Sequence, residues 1–418
     1  MNIHDEMIAM GDRAVVAARE LLLLSARKKN AILQAMADEI DARKAILKEA
    51  NRKDVEEAKS AGLSSALVDR LLLTDSRIES MVHGIRAIVG LKDPIGARIS
   101  RWIRPNGLEI VKRRVPIGVI AIIFESRPNV TADTAVLCIK TSNAVILRGG
   151  KEAINSNVAI ADALIEGGKK HGLPKDAIQL IRTTDRDAVR ELVQMEGRVD
   201  LVIPRGGEAL IRAVTEQARV PVIKHYKGVC HLYVDESANQ EMAMNIAVNA
   251  KCQRPGVCNA IEKIIVHEKI AAEFLPKMAN RFRQLKVELR GDEASRQLVS
   301  WIKPAKEEDW YAEYLDLILT VKIAGSAREA VDHINRYGSK HSDAIIAENE
   351  EVQKLFLTEV DSAAVYVNAS TRFTDGGEFG MGAEIGISTD KIHARGPMGL
   401  EELTTYKYEV QGRGQIRE

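Results

Sequence analysis

Aromatic residues are scarce in this chain, since Phe, Trp and Tyr together make up 4% of its 418 residues. Proteins that bind single-stranded nucleic acid usually stack bases on aromatic side chains inside a positively charged groove. The formal net charge is only +1, so no overall field would attract nucleic acid or an anionic membrane. Both observations argue against a nucleic-acid-binding protein.

Cysteine is rare as well, with four residues in the whole chain. Four cysteines over this length do not form a disulfide framework, and no two of them have the spacing of a zinc-finger cysteine pair. An HExxH motif is also lacking. We therefore expect reduced cysteines and no metal site.

Long apolar runs are missing too. The N-terminus lacks the charged-then-apolar layout of a signal peptide, and runs such as Gly118–Phe124 are far too short to span a bilayer. These features predict a cytoplasmic protein. Apolar residues make up 45% and charged residues 28%, as in soluble globular proteins, and the length predicts two or three domains.

The N-terminal part of the chain reads as helices, because apolar residues between Ile32 and Ala50 recur close to the helical period. The pattern changes at Arg101–Arg114, where Asn106-Gly107 lies between two short apolar alternations. Asn-Gly in that setting is the strongest short hairpin signal. We expect a hairpin that reaches toward another subunit; the alternatives are a solvated arm or a basic patch for nucleic acid, which no interleaved aromatics support.

Strand-like and helix-like segments alternate from residue 118 to 224, which predicts a parallel sheet covered on both faces. Such sheets bind ligands beyond the carboxyl ends of their strands. Three loops that each contain an arginine lie there, and two of them contain Gly-Gly before a helix, where open N–H groups suit a phosphate. GxGxxG and Walker motifs are lacking, so ordinary turns remain the alternative to a nucleotide site. The predicted strands are Val119–Phe124, Ala144–Leu147, Ile178–Ile181, Asp200–Ile203 and Val220–Ile223.

The alternation restarts after a boundary near His225 and predicts a second α/β domain. Strands are expected at 229–234, 261–266, 315–323, 342–347 and 363–367. The glycine-rich segment Phe373–Ile387 is expected to be a loop. The tail Leu403–Val410 alternates like an exposed strand, and a terminal strand of this kind needs a sheet partner.

The segment Asn249–Ala260 has the strongest chemical signal, because it holds two cysteines among basic and turn-forming residues. Nearby Lys or Arg lowers the pKa of a thiol, and the thiolate is the reactive form. Pro255-Gly256 would present the next cysteine on a constrained turn. We hypothesise that Cys258 is a nucleophile; the alternative is a small buried hydrophobe, which is what we expect of the other three cysteines.

Beyond these patterns, the chain resembles the aldehyde dehydrogenase superfamily along nearly its whole length, and within it the branch that reduces gamma-glutamyl phosphate. Several collinear motifs carry the resemblance: Arg114–Ile120, Phe124–Val130, Asn143–Glu152, Val202–Gly207, Gln253–Ala260 and Gly377–Ile387. The resemblance implies an aldehyde dehydrogenase-like α/β fold. Its expected parts are a Rossmann-like NADP-binding domain at 1–225 with a β-hairpin oligomerisation arm at 99–116, an α/β catalytic domain at 226–395 and a C-terminal oligomerisation strand at 396–418.

The resemblance implies NADPH-dependent reduction of L-glutamate 5-phosphate to L-glutamate 5-semialdehyde through a cysteine thioester, in proline biosynthesis. Cys258 matches the family's nucleophile, and Asn129 matches the asparagine whose amide stabilises the oxyanion. Arg148 stands where a lysine usually lies near the adenosine ribose, and a guanidinium there would suit a 2′-phosphate. Glu313 matches the glutamate that holds the nicotinamide ribose. The expected cofactor-binding set is Arg148, Gly149, Lys151, Arg205, Gly206, Gly207 and Glu313.

The chain departs from the superfamily at the glutamate that activates water for hydrolysis of the thioester. Oxidising members carry a glutamate base in a Glu-Leu-Gly-Gly run, whereas this chain has His225-Tyr226-Lys227-Gly228. The departure favours acyl-phosphate chemistry over aldehyde oxidation. The leaving phosphate needs cations, and those nearest in sequence to the two catalytic positions are Lys251, Arg254 and Arg127; solvated or structural ion pairs are the alternative.

Other parts of the chain carry weaker expectations. The loop 376–386, with Glu378 and Glu384, is a candidate for holding the α-carboxylate and α-amino group of the substrate. The histidines His225, His231, His341 and His393 are expected to be structural. A homo-oligomer is expected, and the sequence leaves open whether the chain docks to the glutamate 5-kinase that supplies its substrate. Two rival functions stay open: a thioester-forming aldehyde dehydrogenase, hydrolytic or CoA-acylating, and a non-enzymatic assembly or RNA-binding protein.

Overall fold

The structure is a computed structural model that describes residues 2–417. Residue contacts divide the chain into two compact units. The first contains residues 1–224, 380–386 and 398–418, and the second contains residues 225–379 and 387–397. The main division falls at Lys224–His225, whereas residues 380–386, which the sequence assigns to the catalytic domain at 226–395, belong to the first unit. No helix within residues 2–417 is long and apolar enough to cross a membrane.

The first unit opens with helices whose apolar stripes are buried, as the helical period predicts. Polar side chains accept hydrogen bonds from the open N–H groups at several of their starts, for example Ser25 from Lys28 and Thr74 from Arg77. These helices are α1 (Ile3–Leu22), α2 (Ala26–Ala42), α3 (Lys44–Ser60), α4 (Ser65–Leu71) and α5 (Asp75–Gly90).

The rest of the first segment alternates strands and helices. Its strands are β1 (Arg98–Ile103), β2 (Glu109–Pro116), β3 (Val119–Phe124), β4 (Ala144–Arg148), β5 (Ile178–Leu180) and β6 (Leu201–Arg205). Its helices are α6 (Asn129–Lys140), α7 (Ile154–Lys169), α8 (Asp187–Val193) and α9 (Glu208–Gln217), with a short 3-10 turn at Lys151–Ala153.

The central sheet of the first unit has the order β5-β4-β3-β6, and its strands are parallel. Strand β3 is buried along its whole length, which explains its continuous apolar run. The predicted strand Val220–Ile223 is wrong. Within the described chain only Val222 forms a bridge there, to Val202, because Pro221 has no N–H to donate to a ladder.

The second unit contains α10 (Gln240–Cys252), α11 (Glu268–Gln284), α12 (Glu293–Leu298), α13 (Glu307–Tyr311), α14 (Ala327–Tyr337) and α15 (Glu350–Glu359), with a 3-10 turn at Thr371–Phe373. Its strands are β7 (Cys230–Val234), β8 (Ile261–His267), β9 (Glu288–Gly291), β10 (Lys303–Pro304), β11 (Ile318–Ala324), β12 (Ser342–Ile346), β13 (Ala364–Val367), β14 (Ile387–Ser388) and β15 (Gly396–Pro397).

The main sheet of the second unit is parallel and has the order β10-β9-β11-β8-β7-β12-β13. Strands β7 and β8 lie near its middle and are buried throughout. Apolar residues of α10 and α11 pack against them, for example Ala247 and Phe274. Both α10 and β8 contribute to this core, and the loop that joins them contains Cys258.

The predicted hairpin is confirmed, because β1 and β2 pair antiparallel around the turn at Asn106-Gly107. The C-terminal strand β16 (Thr404–Gln411) pairs antiparallel with β2 along its whole length, from Thr404 opposite Pro116 to Gln411 opposite Glu109. The sheet order is therefore β1-β2-β16. The tail thus finds its sheet partner within its own chain.

Candidate functional site

Cys258 lies in the loop that joins α10 to β8 and is half-buried. Its carbonyl oxygen accepts a hydrogen bond from the thiol of Cys230, with the Sγ and O atoms 3.2 Å apart. The backbone of Gly228 runs against the same residue: a Cβ at Gly228 would lie 2.0 Å from the oxygen of Cys258. Only glycine fits this approach, so backbone contacts hold the loop in position.

Asn259 fastens the cysteine loop to the 3-10 turn at Thr371–Phe373. Its amide donates to the carbonyl of Thr374 at 2.8 Å, and its own carbonyl accepts from the Thr371 hydroxyl at 2.6 Å. The guanidinium of Arg372 donates to the side chains of Gln253, at 2.9 Å, and of Asn259. These bonds hold the guanidinium of Arg372 against the loop that contains the candidate nucleophile.

The pKa of Arg372 shows which charges surround it. Burial lowers this pKa most, the positive charge of Arg254 lowers it further, and the negative charge that Cys258 can carry raises it. Arg372 is therefore an electrostatic neighbour of Cys258. A nearby guanidinium favours the thiolate form of a cysteine.

Two histidines lie beside the same sulfur. One ring nitrogen each of His225 and His341, together with the Sγ of Cys258, lie within 4.8 Å of one another. His341 is buried, and burial lowers its pKa to about 3, so its imidazole is neutral at physiological pH. Nδ1 of His341 lies 2.8 Å from the hydroxyl oxygen of Ser342 and 3.7 Å from the Sγ of Cys230.

Lys251 does not suit the phosphate-binding role that we expected for it. Its ammonium is fully buried and donates to the carboxylate of Glu262 at 2.7 Å. The other oxygen of Glu262 accepts from the N–H of Leu315. Burial inside an ion pair leaves no exposed charge for a substrate, which argues against Lys251 as a phosphate ligand, whereas Arg254 is exposed.

Glu313 follows α13 and belongs to the second unit. Its carboxylate accepts a hydrogen bond from the N–H of Gly228 at 2.8 Å. Glu313 thus helps to position the glycine that packs against Cys258. Its expected contact with the nicotinamide ribose stays a prediction.

In the first unit, the loops after β3, β4 and β6 lie at one edge of the sheet, because these strands are adjacent and parallel. Glu125, after β3, accepts from the N–H of Gly207 at 3.1 Å and donates its own N–H to the carbonyl of Arg205. The carboxylate therefore occupies an N–H group at the start of α9, the type of group that binds phosphate.

Arg148 lies at the end of β4 and is half-buried. Its guanidinium donates to the carbonyls of Gly149, at 2.7 Å, and Thr184, at 3.3 Å. Its Nε is buried and has no hydrogen-bond partner within residues 2–417. Burial lowers the pKa of Arg148. An anionic ligand at this edge of the sheet could accept a hydrogen bond from the unsatisfied Nε–H group of Arg148.

Asn129 is exposed and is the first residue of α6, directly after the loop that follows β3. Its amide donates to the carboxylate of Asp133 one helical turn later, at 2.8 Å. Burial raises the pKa of Asp133 to about 6, against the opposing effect of the Asn129 amide. The amide group of Asn129 is therefore oriented by a neighbour on its own helix.

Comparison with known proteins places these features in a family. The model of the aldehyde dehydrogenase family matches residues 4–316. Gamma-glutamyl phosphate reductase of Aquifex aeolicus is 55% identical over 100% of this chain and 97% of its own length. That of Thermoanaerobacter pseudethanolicus is 54% identical over 99% of this chain and 100% of its own. The crystal structure of gamma-glutamyl phosphate reductase from Thermotoga maritima superposes with a TM-score of 0.97, at 48% identity, over 99% of this chain and 100% of that one.

The chain belongs to the gamma-glutamyl phosphate reductase family. This family is part of the aldehyde dehydrogenases, whose members are oxidoreductases that use a nicotinamide cofactor. The resemblance inferred from the collinear motifs is thereby confirmed, and so is the aldehyde dehydrogenase-like α/β fold. The role of each site residue stays a prediction.

In this member of the gamma-glutamyl phosphate reductase family, more of the expected catalytic residues interact within the second unit than within the first. The second unit brings together Cys258, Arg254 and Glu313 from the expected set, along with residues that sequence reasoning missed. Arg372 lies 113 residues from its partner Asn259 along the chain, so no local sequence motif indicates that Arg372 belongs to the site. In the sequence, the run His225–Gly228 stands out for the glutamate that it lacks, whereas His225 itself is expected to be structural.

Proposed function

We propose that this chain reduces L-glutamate 5-phosphate to L-glutamate 5-semialdehyde and phosphate, using NADPH, as a step of L-proline biosynthesis. The full-length similarity to proteins named for gamma-glutamyl phosphate supports the substrate. The observation that carries the chemistry is the half-buried Cys258 in a loop held by backbone contacts, with the cation Arg372 as its electrostatic neighbour.

The first chemical step is assigned to Cys258. Its thiolate attacks the acyl carbon of the mixed anhydride, a C–S bond forms, and the C–O bond to phosphate breaks. The phosphate leaves with the bonding electron pair, so it needs positive charge more than a proton. Arg372 and the exposed Arg254 supply that charge in place of the buried Lys251, and Arg127 stays a candidate from sequence.

Stabilisation of the tetrahedral oxyanion is assigned to the N–H of Cys258 and the side-chain amide of Asn129. Removal of one such donor typically costs about 3–4 kcal/mol in activation free energy, roughly a hundred- to a thousandfold in rate. The amide of Asn129 already has a fixed partner in Asp133, which limits its rotation.

The first unit fits a nicotinamide dinucleotide at the edge where β3, β4 and β6 end. Arg148 has a buried Nε without a partner among the described residues. Lys151 begins the 3-10 turn that follows β4, and Gly207 directly precedes α9, the helix that follows β6. When bound, NADPH supplies the hydride that reduces the thioester. We assign Arg148 to the 2′-phosphate, Gly149, Arg205 and Gly206 to the pyrophosphate edge, and Glu313 to the nicotinamide ribose.

The competing function is a thioester-forming aldehyde dehydrogenase that passes its acyl group to water or to coenzyme A. Water needs a general base next to the thioester. The run His225–Gly228, which enters the second unit, has no carboxylate, and this favours the reductase.

The test follows NADPH oxidation with freshly generated L-glutamate 5-phosphate, and NADP⁺ reduction with the semialdehyde in the presence and absence of phosphate. We expect the reverse reaction to require phosphate and Cys258→Ala to be inactive. Cys252→Ala, at the end of α10, is the matched control and keeps activity. Acid formation without phosphate, or acyl transfer to coenzyme A, would instead establish the competing function.

We also propose a cytoplasmic homo-oligomer that associates through the β1-β2-β16 sheet. Every residue of β1 is exposed, and the ring of Tyr408 contacts those of Trp102 and Tyr406 on that sheet. Exposed apolar patches of this kind commonly form interfaces. Light scattering of the wild type and of Trp102→Ala checks the assembly, and a pull-down with glutamate 5-kinase checks the proposed association with that enzyme.

A further inference from the structure

Three side chains of zinc-binding type converge in the second unit. The Sγ of Cys258 and one ring nitrogen each of His225 and His341 lie within 4.8 Å of one another. Cys and His are the preferred ligands of Zn²⁺, with Zn–S bonds of about 2.3 Å and Zn–N bonds of about 2.0–2.1 Å. Tetrahedral geometry with these bonds separates the ligand atoms by roughly 3.3–3.6 Å. The three ligand atoms would need to approach one another by about 1.5 Å or less to bind the ion. His225 and Cys258 are only half-buried, which leaves their side chains room for this movement.

His341 provides an independent sign of a ligand. Its Nε2 is buried and has no hydrogen-bond partner within residues 2–417, which is rare for a buried polar atom. Nδ1 is already taken by the hydroxyl of Ser342 at 2.8 Å. The nitrogen left for a ligand is therefore Nε2.

A chain of hydroxyl groups orients the His341 ring from behind. The Ser342 hydroxyl lies 2.7 Å from the Thr374 hydroxyl, which in turn lies 2.7 Å from the hydroxyl of Tyr366. Metal-binding histidines commonly have their second ring nitrogen held in this way. The arrangement fixes the direction in which Nε2 points.

We propose that His225, Cys258 and His341 form a binding site for a thiophilic divalent cation, represented by Zn²⁺, and that the bound cation blocks the thiol of Cys258. Binding forms a metal–sulfur bond and releases the thiol proton to solvent, with no change in oxidation state. Three protein ligands leave one position of a tetrahedral ion for water. The site was invisible in the sequence because its ligands come from three separate segments.

This inference does not depend on the proposed substrate, because metal binding can be measured without turnover. The full chain is treated with a chelator and titrated with Co²⁺, whose thiolate complexes absorb in the near ultraviolet, and then with Zn²⁺ to displace it. The second measurement is the rate at which iodoacetamide modifies Cys258, followed by mass spectrometry with and without Zn²⁺.

We expect one Co²⁺ per chain, a thiolate charge-transfer band that Cys258→Ala abolishes, and slower alkylation of Cys258 in Zn²⁺. His225→Ala and His341→Asn should each weaken Zn²⁺ binding by roughly tenfold or more. The matched control is His333→Asn, because His333 is also buried with an unpartnered Nε2 but lies outside the cluster. That variant and Cys252→Ala should bind Zn²⁺ like the wild type.

Asparagine at position 341 keeps an oxygen for Ser342 and removes Nε2, and circular dichroism confirms that the variant folds. If it does not fold, the half-buried His225 decides the question. Zn²⁺ affinity unchanged in the histidine variants, with binding lost only in Cys258→Ala, would show a lone thiolate and overturn the three-ligand site. Unchanged alkylation of Cys258 in the presence of Zn²⁺ would overturn the blocking role.

Discussion

The substitution Gly228→Ala tests whether backbone packing positions the sulfur of Cys258. A Cβ at Gly228 would lie 2.0 Å from the carbonyl oxygen of Cys258 and 2.6 Å from its carbonyl carbon and Cα. The first distance falls 1.4 Å short of the 3.4 Å at which ordinary van der Waals contact begins. The clashing atoms belong to the backbone of Cys258, so either the cysteine loop or the segment before β7 must shift by about that amount.

The expected cost follows from the sensitivity of catalysis to geometry. A misplacement of about 1 Å reduces rates by roughly a hundredfold, which corresponds to about 2.7 kcal/mol in activation free energy. The shift would also disturb the Cys230 thiol that donates to Cys258 and the Glu313 carboxylate that accepts from Gly228. We therefore expect kcat/KM of Gly228→Ala to fall by about two orders of magnitude.

The assay is the reductase reaction with NADPH, combined with the rate of Cys258 alkylation and the midpoint of thermal unfolding. Gly256→Ala is the matched control, because it lies in the cysteine loop and its Cβ would approach nothing closer than 3.6 Å, at the carbonyl of Leu315. The control should stay within a few-fold of the wild type. Gly228→Ala with near-native kcat/KM would refute the reasoning.

Three further predictions concern charges. Arg372→Gln should slow alkylation of Cys258 by roughly threefold to tenfold at fixed pH, because a neighbouring cation favours the thiolate, and Arg372→Lys should restore most of the rate. Lys251→Met should lower the free energy of unfolding by about 3–5 kcal/mol, since it leaves a buried carboxylate unpaired, and adding Glu262→Gln should recover much of the loss in urea unfolding. Arg148→Gln should raise the KM for NADPH far more than the KM for NADH, measured by steady-state kinetics.

Each of these predictions can fail clearly. Equal alkylation rates in the glutamine and lysine variants at position 372 would mean that its charge does not act on Cys258. A Lys251→Met protein as stable as the wild type would mean that Glu262 is solvated or protonated at no cost. Equal changes in the KM for both cofactors would remove Arg148 from the 2′-phosphate.

Much of the fold could be predicted because local patterns and tertiary packing agree. The apolar run of β3 is that of a fully buried parallel strand, and the Asn106-Gly107 turn announces its hairpin. The failed strand at 220–223 shows the limit of apolar patterning, because Pro221 interrupts the ladder that the neighbouring residues would form.

The site could be predicted only where its functional residues are neighbours in the sequence. Cys258 could be singled out because turn-forming and basic residues surround it in the sequence. Lys251 looked equally suitable, but the end of α10 directs it into the core, where Glu262 of β8 neutralises it. His341 directly precedes β12, and Arg372 lies in the 3-10 turn after β13. Both are far from Cys258 along the chain, so the sequence does not indicate that they are its neighbours.

The pairing of β16 with β2 also affects how the protein is made. The ribosome synthesises the hairpin early, whereas β16, the strand that completes its sheet, is translated long after β2. Until then, β2 presents an unpaired edge that can recruit strands from other nascent chains. The sheet β1-β2-β16 can therefore form only after Thr404–Gln411 has been synthesised, so a chain that terminates before β16 would be aggregation-prone.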